Sequence, residues 1–207
     1  MRIFISVLIL IFSLQSWTKA NDISEFEIEG FYVGKSLLDY YQHEKINEEI
    51  NSRYSYTYPD KEFTILGVGY GTKFYLSLPQ RPEKYDELGI TIKQSDKNYK
   101  IYSISGEIYC RDNIDKCFKK ERQIVSDLKQ ILTKNIEFEE IDFKHPGDPS
   151  GESMVYANSF YFKTTDDSIS VKVYEWGKKE KQDGNVNVLK VSISLKEYLD
   201  YLTVVFN

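Results

Sequence analysis

The chain has 207 residues, of which 29% are charged and 15% aromatic, and its net charge is −5. So many large aromatic side chains exclude a disordered chain, and the length is sufficient for one domain with a core or for two small ones. The acidic balance argues against nucleic-acid binding, because affinity for phosphate backbones comes mainly from lysine and arginine.

Residues 1–20 have the three-part pattern of a cleavable signal peptide. Arg2 precedes an apolar run from Ile3 to Leu14, and small residues occupy the peptidase positions Thr18 and Ala20. The apolar run is shorter than the roughly 20 residues that span a bilayer, and no later apolar segment approaches that length. The alternative is a buried amino-terminal helix. We therefore expect an exported chain, periplasmic or secreted, with no transmembrane segment in the mature form and no cysteine for a lipid anchor.

Cleavage after Ala20 would remove two basic residues and no acidic one, so the mature net charge becomes −7. The mature chain opens with apolar and polar residues alternating over 26–34. Ser36 and Asp39 then predict a helix start, since a hydroxyl can accept from free N–H groups and an acid favours the positive helix end. Apolar residues at near-helical spacing predict one helix or a broken pair of helices over 36–51.

Short β-rich runs follow from 53 to 109. Their segments are 54–58, 62–69, 73–78, 90–92 and 99–103. Gly69 and Gly71 predict a turn, and the polar residues 95–98 predict the turn of a hairpin.

Residues 112–134 have the clearest helical pattern. Asp112 is the predicted N-cap and Asp115 lies in the first turn. The apolar residues of this segment form one stripe: Cys117, Phe118, Ile124, Val125, Leu128, Ile131 and Leu132.

Alternating patterns then predict strands at 136–143, 154–163, 168–176 and from Leu189 to Leu195. They are separated by a loop at 144–153, a turn at 165–167 and a charged loop at 177–185. Ser194 and Glu197 fit a capping box for a short final helix.

Cys110 and Cys117 are separated by six residues. In an exported chain the favoured interpretation is an intrachain disulfide, with reduced core thiols or an intermolecular link as alternatives. A metal site is not expected, because neither histidine is near in sequence and four soft ligands cannot be assembled. The disulfide would be structural.

A shift of 76 positions aligns the two predicted helix starts without a gap. Ile28 then matches Ile104, and Gly30 matches Gly106. We therefore predict an α+β fold with an antiparallel β-sheet packed by helices, containing two tandem helix-plus-sheet repeats. The halves are 21–103 and 104–207, and one continuous domain is the alternative.

The segment from Ile28 to Asp39 carries the pattern G-x3-G-x-S-x2-D. It resembles the opening of β-lactamase-inhibitor-protein-like and outer-membrane-lipoprotein (OmlA/SmpA-like) domains, in which helices pack on an antiparallel sheet. The segments Phe26–Gly30 and Tyr99–Gly106 also resemble uncharacterised small exported bacterial proteins. The first resemblance implies a non-enzymatic role in binding or envelope assembly, although the lipid-accepting cysteine of the lipoproteins is missing here.

Segment 142–152 gathers the residue types of a hydrolytic or metal site: Asp142, His145, Asp148, Ser150 and Glu152. It lacks the nucleophile elbow of a hydrolase and the spacing of a calcium-binding EF-hand. An ordinary solvated connector is the favoured interpretation.

Two further motifs are incomplete. Gly30 and Gly34 before Lys35-Ser36 have three intervening residues where a phosphate-binding loop needs four. Ser126 and Lys129 match S-x-x-K, but the other motifs of penicillin-interacting serine enzymes are absent. The first is better explained as a turn at a helix entrance, and the second as residues on the solvent side of a helix.

Two further patterns concern surface residues. The acids at 137, 139, 140 and 142 alternate with apolar residues, and this alternation shifts by one position between Glu139 and Glu140. The shift predicts a bulge that keeps all four acids facing water. Tyr54, Tyr56 and Tyr58 alternate, as in half-buried strand packing or in a stacking surface for a ligand.

We expect an exported, non-catalytic module that binds a protein or envelope component, with no cofactor. One alternative is a hydrolase or metal-dependent enzyme that uses 142–152. Another is a small-molecule carrier, which requires an apolar cavity between sheet and helices.

Overall fold

The structure, a computed structural model, describes residues 22–69, 76–78, 82, 84–111 and 113–206. The predicted signal peptide therefore lies outside the described residues, as do Asp112 and most of the predicted turn at 69–71. The strands are β1 (Glu27–Ile28), β2 (Phe31–Tyr32), β3 (Tyr56–Thr57), β4 (Phe63–Gly69), β5 (Leu76–Ser77), β6 (Glu87–Lys93), β7 (Ser103–Tyr109), β8 (Ile136–Lys144), β9 (Met154–Phe162), β10 (Ser168–Glu175) and β11 (Val188–Ser194). The helices are α1 (His43–Ile50), α2 (Ile114–Ile131), α3 (Lys178–Gln182) and α4 (Lys196–Phe206), with 3-10 turns at Ile23–Glu25 and Leu37–Asp39.

Nine of the described strands form one sheet in the order β3-β4-β6-β7-β11-β10-β9-β8, with β5 added beside β4. The pairings along this order are antiparallel, and β5 pairs parallel to β4. β1 and β2 form a separate hairpin. The predicted α+β fold with an antiparallel sheet is confirmed.

Each helix of the predicted tandem halves is followed by four strands of the main sheet path. α1 precedes β3, β4, β6 and β7, and α2 precedes β8, β9, β10 and β11. The two sets of strands meet where β7 pairs with β11, so both halves share one sheet. A shift of 76 positions places α1 on α2. The second strand after each helix is β4, which starts at Phe63, or β9, which starts at Met154, so the strands require a larger shift than the helices. The duplication stays a prediction.

One face of the sheet, here called the helix face, is covered by α1, α2 and the amino-terminal hairpin. Side chains such as Ile46 of α1, Ile124 of α2 and Phe31 of β2 are buried there against strand residues. The predicted stripe of α2 supplies this contact. The N-cap predicted at Asp112 is wrong: the cap is Asn113, whose side chain accepts from the Asp115 N–H at 2.9 Å. The helix ends at Ile131, three residues before its predicted end.

Segment 36–51 is a broken pair of helical turns, one of the two predicted forms. Ser36 caps the 3-10 turn as expected, because its hydroxyl accepts from the Leu38 N–H at 3.1 Å. Glu29 and Gly30, both with positive φ, make the tight turn between β1 and β2, where left-handed residues match the strand twist.

The predicted capping box at the final helix is wrong. Ser194 belongs to β11, where its hydroxyl lies 2.7 Å from that of Ser103, and Glu197 pairs with Lys93 at 2.6 Å. The carboxylate of Asp167 accepts from the Lys196 N–H at 2.7 Å instead. The serine is unavailable to the helix because the sheet register places it between neighbouring strands.

The predicted bulge in β8 is also wrong. β8 and β9 pair over nine consecutive positions from Ile136↔Phe162 to Lys144↔Met154. Because the alternation is unbroken, Glu140 and Asp142 lie on the helix face and Glu137 lies on the opposite face. The bulge is not needed, because an edge strand can expose side chains on both faces.

The charged loop predicted at 177–185 contains α3, a helix of five residues. Among the described helices, none is long and apolar enough to cross a membrane.

Candidate functional site

The tripeptide Ser-Ile-Ser occurs three times, at 103–105, 168–170 and 192–194. Its copies lie on the adjacent strands β7, β10 and β11, and the register sets Ile104 opposite Ile193 and Ile193 opposite Ile169. These isoleucines are buried on the helix face. Strand alternation therefore places all six serines on the other face, here called the open face, as a compact patch at its centre.

One row of this patch extends across six strands of the open face. Ser105, Ser192 and Ser170 are paired in line, and the row continues through Ser159 on β9 and through Gly89 and Gly67 on β6 and β4. A Cβ atom on Gly89 would lie 2.8 Å from the Ser105 hydroxyl, so these neighbours are in close contact. Since no side chain of the row is longer than serine, the row forms a shallow trough. Its serines on β10 and β11 and its two glycines are partly exposed, whereas Ser105 and Ser159 are each only 7% exposed.

A row of charged residues borders the trough two positions along each strand. Lys190 Nζ lies 3.1 Å from a carboxylate oxygen of Glu107, and the Tyr109 hydroxyl donates to Glu87 at 2.8 Å. Burial has the largest single effect and lowers the pKa of Lys190, but the charge and hydrogen bond of Glu107 together with nearby tyrosines outweigh it, so that the pKa is raised. The ion pair therefore holds Lys190 in its charged form.

Lys172 is the neighbour of Lys190 on β10 and has a different environment. Burial, together with the charge of Lys190, lowers the pKa of its amine. Among the described residues, no carboxylate forms an ion pair with it. An acidic group from another molecule would stabilise its charged form and compensate for the desolvation.

The trough deepens into a depression of about 160 Å³ beside β3. Gly67, Gly89 and Ser105 are among the residues that line it, with Tyr54 and Tyr56 at its rim. Tyr56 is 54% exposed, so one member of the alternating tyrosine row presents its ring to solvent beside this depression.

Tyr58 belongs to a second core cluster at one end of the open face. Its hydroxyl lies 2.8 Å from that of Tyr198 on α4. Phe63, Tyr102 and Tyr201 complete this buried cluster, which docks α4 on the sheet. The packing interpretation therefore holds for Tyr58, whereas Tyr56 is exposed and a stacking surface for a ligand stays a prediction.

At the opposite end of the open face, His145 lies against two aromatic rings from the end of β10, those of Tyr174 and Trp176. The His145 ring centroid is 4.5 Å from that of Trp176 and 5.8 Å from that of Tyr174. Burial lowers the pKa of His145, although Asp148 opposes this. The trough, which crosses the strands, is therefore flanked by the charged row and this aromatic group on one side and by α4 on the other.

The remaining polar groups of 142–152 are used within their own turn. Asp148 accepts four hydrogen bonds, from the N–H and hydroxyl groups of Ser150 and Ser153, at 2.6–2.8 Å. These hydrogen bonds hold the pKa of Asp148 far below its usual range, and the bond from the Ser153 hydroxyl has the largest effect. Glu152 accepts from the Lys178 N–H at 3.2 Å.

Asp142 lies on the helix face, away from His145, so the structure does not bring the members of this segment together around one point. In the described part of the chain, no group of three or more His, Cys, Asp or Glu residues is arranged to hold a metal ion. The geometry is that of a connector fixed by an aspartate-centred turn.

The predicted disulfide is confirmed. Cys110 follows β7 and Cys117 lies in the first turns of α2, with their Cα atoms 5.8 Å apart. Both residues are at most 5% exposed. The bridge therefore ties the end of a central strand to the start of the main helix.

The incomplete motifs have local structural roles. Ser126 and Lys129 are exposed on α2, as expected for the solvent side of that helix. Gly34 has a φ of 80°, which allows the chain to turn before the Ser36 cap.

One buried acid lies on the helix face. Glu121 of α2 is 9% exposed and accepts from the Asn158 side-chain amide at 2.6 Å. Burial raises its pKa, and the carboxylates of Glu140 and Asp142 add to the effect. The straight register of β8 brings these two acids to the same face.

The serine patch was not identified from the sequence, although its signal is visible there. Three identical Ser-Ile-Ser tripeptides, two of them inside predicted strands and one at the end of the predicted segment 99–103, suggest a common register, but only the strand order makes them adjacent. Comparisons with known protein families, curated proteins and solved structures found no match.

Proposed function

We propose that this protein is an exported, non-catalytic binding module that uses the open face of its sheet to hold another protein of the cell envelope. The observation that carries the proposal is the trough itself. A sheet face with a floor of serine and glycine is left uncovered by helices between α4 and the aromatic end. Serine, glycine and tyrosine are also the residues that adaptable protein-binding surfaces favour, because they combine contact area with flexible hydrogen bonding.

The charges of this face indicate what the partner presents. Glu107 already neutralises Lys190, whereas Lys172 has no acidic partner among the described residues. A protruding loop with an aspartate or glutamate would fit the trough and pair with Lys172. The resemblance of Ile28–Asp39 to exported helix-on-sheet domains supports the same class of function.

The interior supports binding at this surface more than a carrier function. Between the sheet and the helices α1 and α2, apolar side chains such as Leu37, Ile46 and Ile124 pack into one core. The space that an apolar ligand would need is occupied there by the protein's own residues.

The test is affinity capture from an envelope extract of the source organism with immobilised residues 21–207. Ser192→Trp fills the trough, and Ser126→Trp adds the same side chain on the exposed side of α2 as the matched control. The unaltered protein and the control should retain one common partner that Ser192→Trp loses, with all three showing the same thermal transition. Lys172→Glu should weaken the same capture. Recovery of no specific partner, or equal recovery by Ser192→Trp, contradicts the proposal.

A further inference from the structure

β8 is a long edge strand whose outer side has no neighbour among the described strands. It contains nine residues, and eight of them are exposed. Proteins usually protect such edges by shortening, bulging, covering or charging them, and the four acids of β8 protect it against pairing with another acidic edge. β8 is straight, and it exposes Phe138, Ile141 and Phe143 between its acids. These features are typical of an edge that accepts another strand.

The hydrogen-bond pattern shows which backbone groups are available. The His145 N–H donates to the Ser153 carbonyl at 2.9 Å, and the Lys163 N–H donates to the Asn135 carbonyl at 2.8 Å. In an antiparallel pair, hydrogen-bonded and non-hydrogen-bonded positions alternate. The odd-numbered residues of β8 are therefore bonded to β9. The even-numbered residues, including Phe138, Glu140 and Asp142, direct their N–H and C=O groups outward.

The side chains define a charge pattern that changes halfway along the strand. On the open face, Glu137 and Glu139 are followed by Ile141 and Phe143. On the helix face, the apolar residues Ile136 and Phe138 come first, and Glu140 and Asp142 follow. A complementary strand therefore needs basic residues opposite the acids of each face and apolar residues opposite the rest. Its own alternation must shift by one position between Glu139 and Glu140.

A second copy of this chain does not fit the edge, because two β8 strands would bring eight carboxylates together with only two lysines. We infer that β8 docks an extended, lysine- or arginine-rich segment of another protein, which adds as an antiparallel strand along residues 136–144. This surface is distinct from the trough, so the inference does not depend on the proposed function.

The probe is an acetylated and amidated peptide of sequence TVKVKKVKV. Paired antiparallel to β8, it places lysine opposite each acid and valine opposite Ile136, Phe138, Ile141 and Phe143. The control peptide TVKVKVKVK has the same composition and charge, but its strict alternation mismatches half of the strand. Because four cross-strand pairs change from favourable to unfavourable, the first peptide should bind on the order of tenfold more tightly.

Hydrogen exchange on the unaltered protein provides an independent readout. The amides of Phe138, Glu140 and Asp142 should exchange quickly in the free protein and slow when TVKVKKVKV is added. The amides of Glu139 and Ile141 should already be protected by β9.

Glu140→Pro removes one outward N–H without removing a bond to β9, and Glu140→Ala removes the same charge but keeps the N–H. The proline variant should lose most of the binding that the alanine variant retains. Equal binding of the two peptides shows a purely electrostatic attraction and overturns the inference. The inference is also overturned if the peptide does not bind, or if exchange at the outward amides does not change on binding. It fails as well if self-association of the protein already protects these amides without peptide.

Discussion

The disulfide between Cys110 and Cys117 provides a quantitative test of how the sheet and α2 are joined. Replacing both cysteines with alanine opens a closed loop of eight residues. The chain-entropy relation gives about 2.5 kcal/mol for a loop of this size. Loss of the buried sulfur atoms adds a packing cost on the order of 1 kcal/mol.

For a chain of this length, each kcal/mol changes the melting temperature by about 2–4 °C. We therefore expect Cys110→Ala/Cys117→Ala to melt roughly 7–14 °C lower than the unaltered protein. The assay is thermal unfolding followed by circular dichroism under non-reducing conditions.

The single variants separate the bridge from the side chains. Either single substitution already breaks the bridge, so the double variant should be only slightly less stable than each single one. Additive losses would show that no bridge contributes in solution. Two free thiols in the non-reduced, unfolded protein by mass spectrometry would directly refute the reasoning.

Two further predictions concern other parts of the core. Phe63→Ala should lower the free energy of unfolding in urea by about 3–5 kcal/mol, because Phe63 is fully buried beneath α4; Val204→Ala, at a residue that is 81% exposed on α4, should change it by less than about 0.5 kcal/mol. A small effect of Phe63→Ala would show that α4 is not docked by this cluster. Glu121→Gln should alter the pH dependence of the free energy of unfolding. Because the carboxyl pKa of Glu121 is higher in the folded state than the ordinary value of 4.5, the carboxyl stabilises the fold at pH values below 4.5, and this stabilisation is lost as the pH rises through the folded-state pKa. Urea unfolding of both proteins across this pH range should show the unaltered protein losing stability relative to Glu121→Gln, and a constant difference would contradict a buried carboxyl.

Regular amphipathic segments were predictable from the sequence, because their pattern and their burial have the same cause. The stripe of α2 predicted both the helix and the face that packs on the sheet. The disulfide followed from the spacing of two cysteines in a chain with a predicted export signal. In such segments the local pattern is sufficient, since every turn of the helix contributes to the same contact.

The errors arose where tertiary pairing overrides a local pattern. Ser194 fits a capping box by spacing, but the register of β11 places its hydroxyl beside Ser103. The acids of β8 suggested a bulge because each residue was expected to be either buried or solvated. On an edge strand both faces reach water, so this inference fails.

The candidate trough required the strand order. Ser105, Ser170 and Ser192 are far apart in sequence, and each is unremarkable within its own strand. They form a surface only because β11 lies between β7 and β10. Alternation within one strand assigns faces, but it does not determine which strands are neighbours.

The central position of β11 also constrains the order of events during synthesis and folding. Of the described strands, β11 is the last to be made, yet it joins the two meanders. Until residues 188–194 are available, β7 and β10 each have an unpaired edge, and the contacts that complete the sheet span much of the chain. Such non-local closure is slow and leaves intermediates prone to aggregation. The sheet is therefore expected to stay incomplete until nearly all of the chain has been made, which would keep the chain unfolded long enough for the export that we propose.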